Sequence, residues 1–345
     1  MSPLRGLAAD VGSLPVWFAE DHGVQEGGCL FITRAAKDDI LAVAYDADGK
    51  VAVPGTSSPS GGRNPVHASV VAAAGSRYLL VANYNGPDDT KHDQGASVAS
   101  FRILEGCQLR LADVVAHHGS SSDPARQNSA HVHSVTAGPG GSAYACDLGT
   151  DEVIKYTVSP EDGKLHQVAR FKATSGYGPR HSVVHPRLPL VYVVCEMAQV
   201  VLVLQPGVES GELSLIQELR LVQDGDDAKG SKAAEIVMQP DGSAIYVTNR
   251  GRLNTVTVFA VDGRGRLSQK QQLPAPAFPR GMALAQGGSV LLIAGQSKGE
   301  VVSFSVKADG TLEAIGRLTD ADGLPPNPGA FAIVRAAAVP MTILP

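Results

Sequence analysis

Apolar residues in this chain come in short runs of Val, Ala, Leu and Ile, and each run is cut by a turn before it reaches helical length. No long stretch repeats with the 3.6-residue spacing of an amphipathic helix, so the pattern reads as many strands joined by tight turns. The pattern also repeats, at a period of about 50 residues. One mark of the repeat is a hairpin turn: Asp48-Gly49-Lys50-Val51, Glu105-Gly106-Cys107-Gln108, Asp162-Gly163-Lys164-Leu165, Ser210-Gly211-Glu212-Leu213, Arg264-Gly265-Arg266-Leu267 and Asp309-Gly310-Thr311-Leu312. Glycine supplies the positive φ that such turns require.

Half a unit upstream of each turn an apolar strand opens with Pro-x-x or a variant. These openings are Pro15-Val16-Trp17, Pro65-Val66-His67, His131-Val132-His133, Pro179-Arg180-His181, Ala233-Ala234-Glu235 and Pro279-Arg280-Gly281. Another strand follows each, as in YLLVANY, SAYACDLG, LVYVVCE, AIYVTNRG and VLLIAGQ. Four strands per unit, repeated in this way, specify an all-β fold, a β-propeller whose innermost strands line a central channel. A seventh opening at Pro328–Val334 has no further strands after it. The expectation is a seven-bladed ring with a deficient blade, six blades being the alternative. The domain boundaries read as an extension over 1–14, one propeller over 15–335 and a tail over 336–345.

Because equivalent positions occupy equivalent places around the channel, the repeat predicts which side chains converge. The openings bring His67, His133 and His181 to one position and Arg180 and Arg280 to another, with His131 two residues before His133. The ends of the following strands align Tyr84, Leu148, Glu196, Arg250 and Gln296, preceded by Asn83, Asp147 and Asn249. His131, His133, Arg180, Glu196 and Arg250 are therefore candidate catalytic residues, and His67, His181, Arg280, Asn249 and Gln296 candidate substrate contacts. The other histidines, His22, His92, His117, His118, His166 and His185, are read as structural, and Lys155 and Lys232 as ordinary surface lysines.

The net charge of -5, with no basic tail or block, argues against nucleic acid as a partner, so any anion site must be built locally. Arginine forks grip phosphate or carboxylate, and histidine or glutamate moves protons, a set suited to acid–base work on a small anionic substrate. No G-x-S-x-G elbow marks a serine nucleophile. Three aligned histidines invite comparison with a zinc site, but strands of different blades diverge from the axis and the neighbouring arginines would repel a cation, so a metal is not expected. Cys29, Cys107, Cys146 and Cys195 form no close pairs and are expected to be buried reduced thiols. The N-terminal segment lacks a secretory h-region and no run is long enough to cross a membrane, so a cytoplasmic setting without membrane contact is expected. Sequence does not fix the oligomeric state.

The motifs GPRHSVVHP with Glu196, HVHSVTAGPGGSAYACDLGTDEVIKY, PDGSAIYVTNRG and PRGMALAQGG…AGQ resemble, as an ordered set, the seven-bladed lactonase propellers. That family includes bacterial 6-phosphogluconolactonases and fungal carboxymuconate-cyclising enzymes. The resemblance covers about residues 60–335 and, more weakly, 15–55. It implies a cofactor-independent enzyme acting on a sugar lactone or a muconate lactone, and the expectation is a hydrolase that opens 6-phospho-D-glucono-1,5-lactone to 6-phosphogluconate in the pentose phosphate pathway. The family's catalytic set then falls on His131 or His133, Arg180, Glu196 and Arg250, with Glu196 or a histidine of the HVH pair activating water. A carboxymuconate cycloisomerase is the nearer alternative, and a non-catalytic binding scaffold the other. Two departures from the family stand out. The outer strands of the first blade are expected to be missing, and the segments Asn85–Gly95 and His117–Gln127 are long enough to form a lid or rim.

Overall fold

The computed structural model describes residues 15–24, 27–47, 55–85, 96–207, 212–222 and 229–319. The readings placed on 1–14, 48–51, 86–95, 210–211 and 328–345 lie outside them, and His22 is described in its backbone alone. The described residues form six sheets, each of four antiparallel strands taken in chain order. The fold is thus a β-propeller, and the first blade is whole: its outer strands, expected to be missing, run over Asp39–Asp46 and Thr56–Pro59.

The inner strands, Pro15–Val24, Arg63–Ala73, Val132–Ala137, Pro179–Val184, Lys232–Met238 and Pro279–Ala285, pack side by side in that order. Apolar side chains fill the gaps between blades. One such core joins Leu190, Tyr192 and Val194 of the fourth blade to Ala233, Ile236 and Phe259 of the fifth. The second strand of several blades buries a tyrosine whose hydroxyl reaches the hairpin turn of the next blade: Tyr78 donates to Pro160, Tyr192 to Gly265 and Tyr246 to Gly310. Gly265 is needed there twice over. Its φ is +78°, and a Cβ would come within 2.0 Å of Leu190 Cδ1 and 3.0 Å of the Tyr192 hydroxyl.

Each inner strand carries an irregularity near its start. Pro179 faces Cys195 and His181 faces Val194, so Arg180 is an extra residue, and the same slip occurs at Pro15/Trp17, Pro65/His67 and Pro279/Gly281. The third and fifth blades slip at His133 and between Ala233 and Ile236. A bulge of this kind breaks the in-out alternation and re-aims side chains. Here it lets neighbours such as Arg180 and His181 both enter the channel.

The cysteine expectation is corrected for one pair. Cys29 and Cys107 form a disulfide that ties the first blade to the second across 78 residues, whereas Cys146 and Cys195 are free and buried. The pair escaped notice because the spacing of cysteines along the chain says nothing about which blades meet. No helix among the described residues is long and apolar enough to cross a membrane.

Candidate active site

At the mouth where the inner strands begin, one carboxylate gathers four cations. Glu196, at the end of the second strand of the fourth blade, has a buried side chain. Its Oε1 accepts from Arg126 Nη2 at 2.6 Å and lies 3.5 Å from Lys232 Nζ. Its Oε2 accepts from Arg250 Nη2 at 2.8 Å and lies 3.3 Å from Arg180 Nε. Burial works to raise the carboxyl, but Arg250, Arg180, Arg126 and Lys232 override it and hold it at about 2. Burial lowers Arg250 to about 10, with Arg180 adding to the effect. Arg180 is fully buried and donates to the Ala234 carbonyl of the next blade. Arg250 also lies over the Phe278 ring, 5.3 Å from its centroid.

Arg280 faces the same space, within electrostatic reach of Arg250, Glu196 and Glu235. Among the described residues it forms no ion pair. The mouth thus carries more positive charge than Glu196 can offset.

One layer deeper the third residues of the strand openings meet. Trp17 stacks on His67 at 4.2 Å between centroids, His67 meets His181 edge-on at 5.2 Å, and His133 meets His181 at 5.0 Å. Behind His181, Glu235 Oε1 lies 2.7 Å from its Nδ1. Burial first, and the arginines and neighbouring histidines after it, push all three imidazoles well below their ordinary range, so they are neutral. Burial likewise raises the Glu235 carboxyl, to about 7. Beyond this layer a cavity of about 600 Å³ opens toward the other end of the channel, lined by Trp17, His67, His181, Glu235, Met238 and Met282. A cleft of about 560 Å³ flanks the cationic mouth, between the Ser122–Pro124 loop, Arg126, Met197 and Lys232. Among the described residues no group of three or more His, Cys, Asp or Glu is placed to hold a metal.

The structure therefore assembles Arg180, Glu196, Arg250 and Arg280 at one level and His67, His133 and His181 at the next. His131 stays at the rim, its Nδ1 donating to the Tyr84 carbonyl at 3.0 Å and its ring stacked on Tyr84 at 4.4 Å. Asn249 is buried and donates to Gln199 at 2.7 Å, and no described hydrogen bond ties the Gln296 side chain to the cluster. Asp147 does structural work, with Oδ1 accepting the amides of His131, Gly149 and Thr150 and Oδ2 facing His117.

Lys232 is corrected from a surface lysine to a member of the Glu196 cluster. Arg126, Trp17 and Glu235 were missed altogether. Trp17 and Glu235 occupy the same third position of the openings as the three histidines, which was the available signal. Arg126 lies in the long 117–127 segment, which forms a rim held by Gln127 through the Leu148 carbonyl and Asp151 Oδ1.

Fold and site together define a β-propeller whose channel holds a cluster of arginines around Glu196 above three buried histidines. Residues 8–323 match the sequence profile of the family described as Lactonase, 7-bladed beta-propeller, and the chain belongs to that family. An uncharacterised protein of Lactococcus lactis is 33% identical over 243 residues, 70% of this chain and 67% of the relative. A 6-phosphogluconolactonase of Enterobacter sp. is 27% identical over 299 residues, 85% of this chain and 82% of the relative. Among solved structures, the periplasmic gluconolactonase of Pseudomonas aeruginosa shares the fold with a TM-score of 0.80 at 24% identity, covering 94% of this chain and 89% of that one.

Proposed function

We propose that this chain is a lactone hydrolase for an anionic sugar lactone, with 6-phospho-D-glucono-1,5-lactone the substrate and 6-phosphogluconate the product, as in the pentose phosphate pathway. The observation that carries the reading is the charge imbalance at the channel mouth. Arg126, Arg180, Arg250 and Lys232 share the carboxylate of Glu196, and Arg280 stands beside them without an ion pair among the described residues. Of these, Arg180 and Arg250 are the buried ones, and an anion in the channel would complete the set around them. Arg280 and Arg250 are the groups we assign to the phosphate and to the oxyanion that develops on the lactone carbonyl, where fixed donors in a dry site act most strongly. Glu196 serves in this reading as the anchor that holds the arginines in place. The name of the Enterobacter relative supports the same substrate.

The test is hydrolysis of freshly generated 6-phosphogluconolactone and of unphosphorylated gluconolactone, each against its spontaneous rate, by the wild type and by Arg280→Gln. The expected result is a wild-type rate well above background, with KM for the phosphorylated lactone raised about tenfold or more in the variant and little change for the unphosphorylated one. A folded wild type that adds nothing to the spontaneous rate of either lactone would end this reading.

A further inference from the structure

The lactone-hydrolase reading leaves open which group takes the proton from the attacking water. Such a base needs a bare lone pair facing the channel and a neighbour that stabilises it once protonated. Glu196 fails on the first count, because each of its oxygens already faces two cations. His131 lies at the rim, with Nδ1 donating to the Tyr84 carbonyl and Nε2 turned to Ser129 Oγ at 3.5 Å and Asn128 Oδ1 at 3.4 Å instead of to the channel. The Nδ1 of His67 accepts the Val135 amide at 3.4 Å, which puts its proton on Nε2 and leaves no bare nitrogen. His133 has a buried Nδ1 without a partner, but Arg180, His181, Arg280 and Arg250 dominate its surroundings and no carboxylate touches it.

His181 meets both requirements. Glu235 Oε1 accepts the amide of Ile236 at 3.1 Å and also lies 2.7 Å from His181 Nδ1, so that oxygen is an acceptor and the imidazole proton sits on Nδ1. The lone pair is therefore on Nε2, which is buried and without a hydrogen-bond partner among the described residues. The groups bearing on His181 are Arg180, Arg250 and Arg280, which oppose the imidazolium, Glu196 and Glu235, which favour it, and the rings of Trp17, His67 and His133. The arginines keep the resting base free of a proton, and Glu235 offers a counter-charge when one arrives.

We infer that His181 is the general base of this site and Glu235 the positioning residue that fixes its tautomer. This rests on the lactone-hydrolase reading. Water attacks the lactone carbonyl carbon and gives its proton to His181 Nε2, while the carbonyl electron pair moves onto oxygen beside the arginines. Collapse of the tetrahedral species breaks the ring C–O bond, and the departing ring oxygen takes the proton back from the imidazolium. Lactone and water thus become the hydroxy acid, and the enzyme returns to its starting state.

The experiment measures kcat against pH for the wild type, His181→Asn and Glu235→Gln on 6-phosphogluconolactone, with 6-phosphogluconate binding as the check on an intact site. His181→Asn retains a donor toward Glu235 but lacks Nε2. It should lose about 10²–10⁴-fold in kcat while binding product within a few-fold of the wild type. In the wild type kcat falls as pH drops and the dyad gains a proton. In Glu235→Gln the imidazolium loses its counter-charge, so that fall should move to lower pH, a change that a merely structural glutamate would not produce. A His181→Asn variant that binds product and keeps kcat within about threefold overturns the inference while leaving the lactonase intact. Should that variant fail to bind product, an unmoved pH profile in Glu235→Gln overturns it instead. A wild type without activity removes the underlying reading rather than the choice of base.

Discussion

Replacing Glu196 with glutamine removes the charge that holds the channel mouth together while keeping its shape. The cost can be apportioned from exposure. The side chains of Arg126 and Lys232 are 33% and 42% exposed, so water screens them and their loss of a partner counts for little. Arg180 and Arg250 are 2% and 10% exposed and would stay charged in a poorly solvated place. Removing one partner of a buried pair costs about 3–5 kcal/mol, chiefly through the charge left behind. At about 2 °C per kcal/mol for a chain of this size, Glu196→Gln should lower Tm by about 6–10 °C at pH 7. The wild-type carboxylate is held at about 2, so this contribution is present at neutral pH and is lost only as pH falls below the ordinary carboxylate range toward 2. The same reasoning predicts rescue. Inorganic phosphate at about 5 mM should recover more Tm in the variant than it adds to the wild type, because an anion that binds only the folded state stabilises it by mass action. Melting by near-UV circular dichroism with and without phosphate is the assay. A variant melting within about 2 °C of the wild type, or equal phosphate effects on both, would refute the argument that these cations need an anion.

Three further outcomes are expected. Tyr192→Phe removes one hydroxyl bonded to the Gly265 carbonyl at 2.8 Å and leaves that acceptor buried, which should cost about 1–2 kcal/mol in urea melts with no change in activity. Breaking the Cys29–Cys107 disulfide frees a 78-residue loop, and Cys29→Ser with Cys107→Ser should lose about 4 kcal/mol; alkylation and mass measurement of protein from a reducing cytosol and from an oxidising compartment would show where the bond forms, since such bonds are rare in the cytosol. The Glu235 carboxyl is raised by burial to about 7, above the 4.5 of an exposed glutamate, so the stability it contributes is full below pH 4.5 and is lost as pH rises through 7. Glu235→Gln keeps an acceptor for His181, and its unfolding free energy should gain on the wild type between pH 5 and pH 8 by at most about 3 kcal/mol, read from urea melts at each pH.

The four-stranded unit, the strand order and the convergence of three histidines and three arginines were legible because a repeat converts sequence register into position around an axis, whereas the first blade, expected to be deficient, is whole. What the register could not convey was depth and direction. Alternation along a regular strand sends neighbours to opposite faces, so Arg180 and His181 should have parted, and Glu235 stood in the alignment beside two alanines without drawing notice. The bulge at the start of each inner strand undoes that rule and brings arginine and histidine into one channel at two levels. Arg126 was illegible for a different reason. It belongs to no repeat, and the anchoring of its loop by Gln127 and by Ser121, which donates to Asp151 Oδ2, brings it over Glu196. The role of Glu196 was obscured in turn, since a carboxylate on a strand end reads as a base until its cations are counted. With four of them around it, the carboxylate is an organiser of arginines, and the proton must go elsewhere. Among the described residues, the buried imidazole in the channel that is bonded to a carboxylate and keeps a bare nitrogen is His181.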